Sequence, residues 1–153
     1  YGYKGKGVPI HSLVDRNGCP LAISVTSAKE SEREQVLPLL QSIHIQTGEV
    51  GRPKHNPKNL ATDKGYDSKE LRKTLRKKGI RPEIPKRTWS NRKQPKGRKL
   101  QKKVERYVVE RTFSWYQRKF RRLVVRWERK PNIFEAFVDL GFVMIWLDKT
   151  LLG

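Results

Sequence analysis

The chain has 153 residues, with 35 Lys and Arg against 15 Asp and Glu, a formal charge of +20. That length supports one domain with a hydrophobic core, and a compact body this cationic repels itself, so an anionic partner is expected. Cys19 is the one cysteine, which excludes a disulfide within the chain and points to a reducing cytoplasm. The longest apolar run, Gly141–Leu147, falls far short of the ~20 residues that cross a bilayer, and no signal peptide is visible. Nucleic acid is the commonest partner of such a charge, because neutralising phosphates releases counterions. An acidic membrane surface is the rival reading.

The opening Tyr1–Gly7 is rich in Gly and Lys and reads as a loop or the start of an edge strand, in a piece of a longer chain. Apolar stretches at Val8–Val14 and Pro20–Thr26 flank Asp15-Arg16-Asn17-Gly18, and Asn-Gly is a strong hairpin signal. Val36, Leu39, Leu40 and Ile43 recur at helical spacing. Ser31 with Glu34 fits a capping box, so a helix is predicted over 31–43, with Pro38 as a kink or cap. Residues 47–59 form a polar loop by their Gly and Pro content. Leu60–Asp63 reads as a short buried strand ending at its acid. Asp67 or Ser68 then caps a helix running to Lys78 with Gly79 as its stop. Ile80–Pro85 is a further strand, placed at an edge by its prolines. Residues 86–99 are a basic loop around Trp89. A long helix is predicted from about Leu100 to about Arg121, with Val109, Phe113, Tyr116 and Phe120 as its apolar stripe and Glu110 beside that stripe. Pro131 starts a last helix over Asn132–Leu147. Apolar residues surround most of it, so burial is expected. Strands followed by crossover helices indicate an α/β layer around a mixed sheet.

Two carboxylates stand where catalysis uses them. Asp63 closes a predicted strand, the usual place for active-site residues in α/β sheets. Glu110 projects beside a core-facing stripe among positive residues, and an acid at a core edge costs energy unless paired or metal-bound. Position alone leaves a plainer reading open, in which Asp63 caps the turn at Lys64-Gly65 and Glu110 pairs with Arg106 or Ser114. Asp15 belongs to the hairpin turn, where Asp bonds backbone, and Asp67 to a helix cap. His11, His44, His55 and Cys19 have no metal-ligand spacing. The basic residues fall into two groups. Lys86, Arg87, Arg92, Lys93, Lys96, Arg98 and Lys99 surround Trp89, on which a base can stack. Arg106, Arg111, Arg118, Lys119, Arg121 and Arg122 lie on or after the Glu110 helix. Phosphate contact is the functional reading, a solvated face the plain one. Trp115, Trp127 and Trp146 are assigned to the core.

Several motifs occur in a specific order. They are Tyr3-Lys4-Gly5-Lys6-Gly7 before Ile10–Asp15, Gly18–Leu21, Ala61-Thr62-Asp63-Lys64-Gly65-Tyr66-Asp67, Val109-Glu110-Arg111-Thr112-Phe113-Ser114-Trp115, and Phe120–Leu123 before a final apolar helix. Over nearly its whole length the chain resembles the DDE transposases of bacterial insertion sequences. The resemblance implies a single catalytic-core domain over 1–153 with a ribonuclease-H-like mixed sheet flanked by helices. It assigns the second catalytic acid to Asp63, the third to Glu110, and the family's preceding Arg to Arg106. The family's first Asp lies on a strand that would precede Tyr1, so the first strand is missing here. Lys103 and Gln117 stand where the family has Tyr and Lys, and Lys119 or Arg118 is the candidate substitute for that Lys.

The implied chemistry is two-metal phosphoryl transfer, with Mg²⁺ or Mn²⁺ held by carboxylates. The implied partners are transposon-end and target DNA and a second copy in a synaptic complex, with no membrane, in the bacterial cytoplasm near the nucleoid. With two of three acids, the chain alone is expected to be inactive. The DNA-binding candidates are Lys86, Arg87, Trp89, Arg92, Lys93, Arg106, Arg118, Lys119, Arg121 and Arg122. A non-catalytic DNA- or RNA-binding module and another ribonuclease-H-like nuclease remain the alternatives.

Overall fold

A computed structural model describes residues 8–27, 29–45, 50, 56–86 and 107–151. The chain divides into two compact units, Tyr1–Ile43 with Tyr107–Gly153, and His44–Arg106.

The first unit begins with strands β1 (Ile10–Val14) and β2 (Pro20–Val25), paired antiparallel with Ile10 opposite Val25. The predicted hairpin forms through a loop of Arg16, Asn17 and Gly18. Asp15 N–H donates to Cys19 O at 2.8 Å, Gly18 N–H donates to Asp15 O at 3.1 Å, and Gly18 takes φ +82°. This is a three-residue loop closed by a left-handed glycine, one residue longer than a two-residue Asn-Gly turn. The Asp15 carboxylate serves the turn itself, accepting from Asn17 N–H at 2.9 Å and Cys19 N–H at 2.7 Å.

The helix expected over 31–43 is shorter. Helix α1 spans Val36–Gln41 and begins at Gln35 without a side-chain cap. Pro38 explains the difference: it lacks an N–H and its ring collides with the carbonyl four residues earlier, so it fits only within a first turn. Residues 31–34 make a turn instead of a capping box, Glu34 N–H donating to Ser31 O. The apolar spacing still holds, because Val36, Leu39, Leu40 and Ile43 are all buried.

Three more helices complete this unit. In the order β3 (Asn59–Ala61), α2 (Lys69–Lys77), β4 (Arg81–Glu83), α3 (Tyr107–Lys119), α4 (Arg121–Val124) and α5 (Pro131–Leu151), the last three belong to it. Helix α1 packs on both strands of the hairpin, α3 on β1, and α5 on β2. The long predicted helix is interrupted at Phe120, whose φ of −120° and ψ of 85° break the helical path before α4. Its residues 100–106 lie outside the described residues. Its buried face also differs from the expected stripe. Val108, Thr112 and Tyr116 are buried, while Val109, Phe113 and Phe120 are only half-buried.

The last helix runs to Leu151, beyond the predicted Leu147, and is not buried all round. Phe134, Val138, Gly141 and Ile145 face inward, whereas Ile133, Leu140, Val143, Met144 and Leu147 are exposed. One row of α5 has neighbours on β2 and α4, and the opposite row has none that bury it. Trp127, expected in the core, is 76% exposed in the segment between α4 and α5. Trp115 and Trp146 are not core residues either, and both hold the hairpin end. Trp146 Nε1 donates to Pro20 O at 2.6 Å. Among the described residues no helix is long and apolar enough to cross a membrane.

The second unit is a small β-α-β layer. Strands β3 and β4 pair in parallel, with Leu60 opposite Pro82, and α2 connects them and packs on β4. Ser68 caps α2, its side chain accepting from Leu71 N–H. At the other end Gly79, with φ +75°, closes a Schellman motif. Its N–H donates to Arg76 O at 3.0 Å, and Ile80 N–H donates to Leu75 O at 2.9 Å. Leu60, Leu71, Leu75, Ile80 and Ile84 form its core. Among the described residues the strands form one antiparallel and one parallel pair.

Two outcomes test this packing. A Cβ at Gly18 would lie 3.0 Å from Thr112 Oγ1 on a backbone at φ +82°. Gly18→Ala is therefore expected to cost about 1–2 kcal/mol in urea unfolding; an unchanged midpoint would mean the turn is not clamped. His11 donates to or accepts from Thr26 Oγ1 at 2.8 Å. Burial lowers its pKa from the ordinary 6.5, against the opposing charges of Glu32 and Glu30. A depressed histidine is neutral in the folded state while the unfolded chain takes up the proton, so its contribution is complete above pH 6.5 and lost as pH falls below it. The thermal midpoint should fall with pH in that window, and His11→Asn should flatten the fall.

Candidate active site

Asp63 belongs to the second unit. The strand ends at Ala61, two residues before the predicted end, and Asp63 begins a single 3₁₀ turn at Lys64–Tyr66. Its Oδ1 accepts from Lys64 N–H at 2.6 Å, and the residue is half-buried. The carboxylate thus stands just past the carboxyl end of β3 and at the same time caps the turn after it. That geometry contains both sequence readings, an acid at a strand exit and a turn cap.

The following segment is held firmly. Asp67, expected as a possible cap for α2, leaves that role to Ser68 and instead pairs with Arg72 at 2.8 Å. Arg72 Nη2 also donates to Ile84 O at 2.7 Å, beyond the end of β4. Both side chains are mostly buried, at 15% and 19% exposed. Arg72 therefore ties the 64–67 turn, which follows Asp63, to the exit of the neighbouring strand.

Glu110 belongs to the first unit, in the first turn of α3. At ~100° per residue it lies roughly opposite the buried Val108 and Thr112, and it is exposed. This corrects the expectation of an acid at the edge of the core. The buried row is Val108-Thr112-Tyr116, not the row through Val109 and Phe113. Among the described residues Glu110 has no hydrogen-bond or ionic partner, Ser114 included; Arg106 lies outside them. No group of three or more His, Cys, Asp or Glu that could hold a metal occurs among the described residues.

The basic candidates separate by their partners. Lys119 pairs with Asp148. Arg122 pairs with Glu128 at 2.9 Å and lies over the Phe137 ring at 4.9 Å. Arg118 and Arg121 are exposed and, among the described residues, bind no carboxylate. Lys86 is exposed at the end of the described part of the second unit. Arg87, Trp89, Arg92, Lys93 and Arg106 lie outside the described residues. A cavity of about 40 Å³ lined by Ile10, Ile23, Phe113, Tyr116, Leu123 and Val138 is a packing gap. Small-molecule sites are of the order of 300 Å³ or more.

Known proteins resolve the choice of family. The model of the transposase DDE domain matches residues 1–147. The chain belongs to that family. It is also 41% identical over 135 residues to a Burkholderia cepacia protein named "Putative transposase for insertion sequence element IS402". That alignment covers 88% of this chain and 60% of the relative. No solved structure matches the chain. The DDE-domain match includes both Asp63 and Glu110 as well as the hairpin, and insertion-sequence transposition is the setting of the family.

Loss of the Arg72 side chain should remove its bonds to Asp67 and to the Ile84 carbonyl. Arg72→Ala is expected to cost about 2–3 kcal/mol, the scale of charged hydrogen bonds, read by urea unfolding. A cost under half of that would mean the strand exit is held by other contacts.

Proposed function

We propose that this chain carries most of the catalytic core of a DNA transposase, with Asp63 and Glu110 as the second and third of three catalytic acids. The observation that carries this reading is the DDE-domain match over residues 1–147, which spans both carboxylates in the expected order. The placement of Asp63 at a strand exit and the exposed carboxylate of Glu110, without a partner among the described residues, are compatible with it. In this reading both acids belong to one ribonuclease-H-like catalytic domain. The chain spans 60% of the length of the IS402 relative.

Asp63 and Glu110 would hold Mg²⁺ or Mn²⁺ through carboxylate oxygens. Bound there, such ions supply activation of water or a 3′-hydroxyl and stabilisation of the leaving oxygen. The chain's own residues do the rest. The Lys64 N–H fixes one oxygen of Asp63, α3 carries Glu110 toward solvent, and the cationic surface receives phosphates. For DNA contact we assign Arg118 and Arg121 first, and Lys86, Arg87, Trp89, Arg92, Lys93 and Arg106 as further candidates. Lys119 and Arg122 join these only if their pairs with Asp148 and Glu128 open. The partners are transposon-end and target DNA, with two copies in a synaptic complex, in the cytoplasm near the nucleoid.

A second reading is a DNA-binding module without chemistry. The turn-capping role of Asp63 favours it, since capping by itself accounts for an Asp at that position. One assay separates the two. The chain joined to an upstream strand ending in Asp should nick DNA in Mg²⁺, and Asp63→Ala or Glu110→Ala should each reduce nicking to background. Nicking that survives both substitutions removes the site assignment. DNA binding without nicking in the joined chain leaves the second reading.

A further inference from the structure

The end of the β1–β2 hairpin is surrounded by cations that have no neutralising acid among the described residues. Arg111 Nη2 and Lys149 Nζ both donate to the carbonyl oxygen of Asn17, at 2.9 and 2.7 Å. Both also lie over the Trp115 ring, Arg111 Cζ at 5.0 Å and Lys149 Nζ at 4.4 Å from its centroid. Arg111 Nε is buried and without a partner. Arg16, in the same turn, is exposed. Nearby acids are committed elsewhere: Asp15 Oδ1 accepts two backbone N–H groups of the turn, and Asp148 pairs with Lys119. Among the described residues neither Arg111 nor Lys149 pairs with a carboxylate.

The cluster is built by the fold. Thr112 Oγ1 donates to Gly18 O at 2.9 Å and fixes the turn on α3, and a side chain at Gly18 would come within 3.3 Å of Arg111 Nη2. Two like charges brought to one neutral carbonyl repel each other. A neutral oxygen with a partial charge offsets only part of that repulsion, whereas an anion bridging them offsets all of it. A phosphodiester presents two oxygens to such a pair, and Arg with Lys is a common donor set for it.

We propose that the hairpin end, through Arg111, Lys149 and Arg16, binds a backbone phosphate of DNA without reading its sequence. This rests on the DNA-binding reading above and adds Arg111, Lys149 and Arg16 to its contact residues. Arg111 has a second role in the turn, so Lys149 is the better probe: among the described residues its hydrogen bond is to an exposed carbonyl.

The test measures affinity of the whole chain for a short fluorescent duplex of arbitrary sequence across a series of salt concentrations. Lys149→Gln is expected to lower the slope of log affinity against log salt by about one, the loss of one phosphate contact. It should do so equally on a second, unrelated duplex, with an unchanged thermal midpoint. Lys149→Arg should keep the slope. Lys73→Gln, an equal charge change on exposed α2, should keep it too. An unchanged slope in Lys149→Gln overturns the proposal, as does an equal fall in Lys73→Gln, which would reflect net charge alone. A lowered midpoint with the original slope would make Lys149 a structural staple only and overturn it as well. If the unaltered chain does not bind DNA, the DNA-binding reading fails together with this one, an outcome distinct from the others.

Discussion

The buried bond from Thr112 Oγ1 to the Gly18 carbonyl joins residues 94 positions apart. It seats the hairpin turn directly on α3, and the rest of the first unit is arranged around that seat. Gly18 has a left-handed backbone and no side chain, so α3 can approach to hydrogen-bond distance. Trp146 reaches the Pro20 carbonyl from α5, and Arg111 and Lys149 reach that of Asn17. Carbonyls that the turn leaves without strand partners are thereby satisfied by helices distant in sequence.

That seat also sets the direction of the catalytic candidate on the same helix. With Thr112 turned inward, Val108 and Tyr116 follow it at one-turn intervals and Glu110 is carried to the opposite side. An acid in that position needs no buried countercharge. Among the described residues no cation neutralises it. Asp63 is fixed in a different manner, by a backbone N–H and by the Arg72-Asp67 pair that stiffens the following turn. One carboxylate is oriented by helix rotation, the other by local hydrogen bonds.

The charge of +20 is unevenly committed. Among the described residues Lys119, Arg122 and Arg72 are neutralised by acids, while Arg118, Arg121, Arg111 and Lys149 are not. Net charge indicated an anionic partner but gave no means of ranking the cations. The pairing pattern does, because a cation already bound to a carboxylate must lose that bond to gain a phosphate. The exposed row of α5 and Trp127 are a separate feature: their apolar surface has no charge to explain it.

Local chemistry was legible in the sequence wherever neighbouring residues decide the outcome. The hairpin turn at Asp15–Gly18, the Ser68 cap, the Gly79 stop and the order of the Asp63 and Glu110 motifs all depend on residues a few positions apart. Pro38 carried the signal that shortened α1, since its missing N–H forbids the longer helix. Three matters required the tertiary structure. The rotation of α3 is set by Thr112 bonding a glycine carbonyl from the first strand pair, and apolar periodicity does not contain that bond. The burial of α5 is set by how much surface β2 and α4 offer, so an all-round apolar helix shows only its potential for burial. The convergence of Arg111 and Lys149 on Asn17 joins three segments far apart in the chain, and no spacing rule relates residues brought together only by folding.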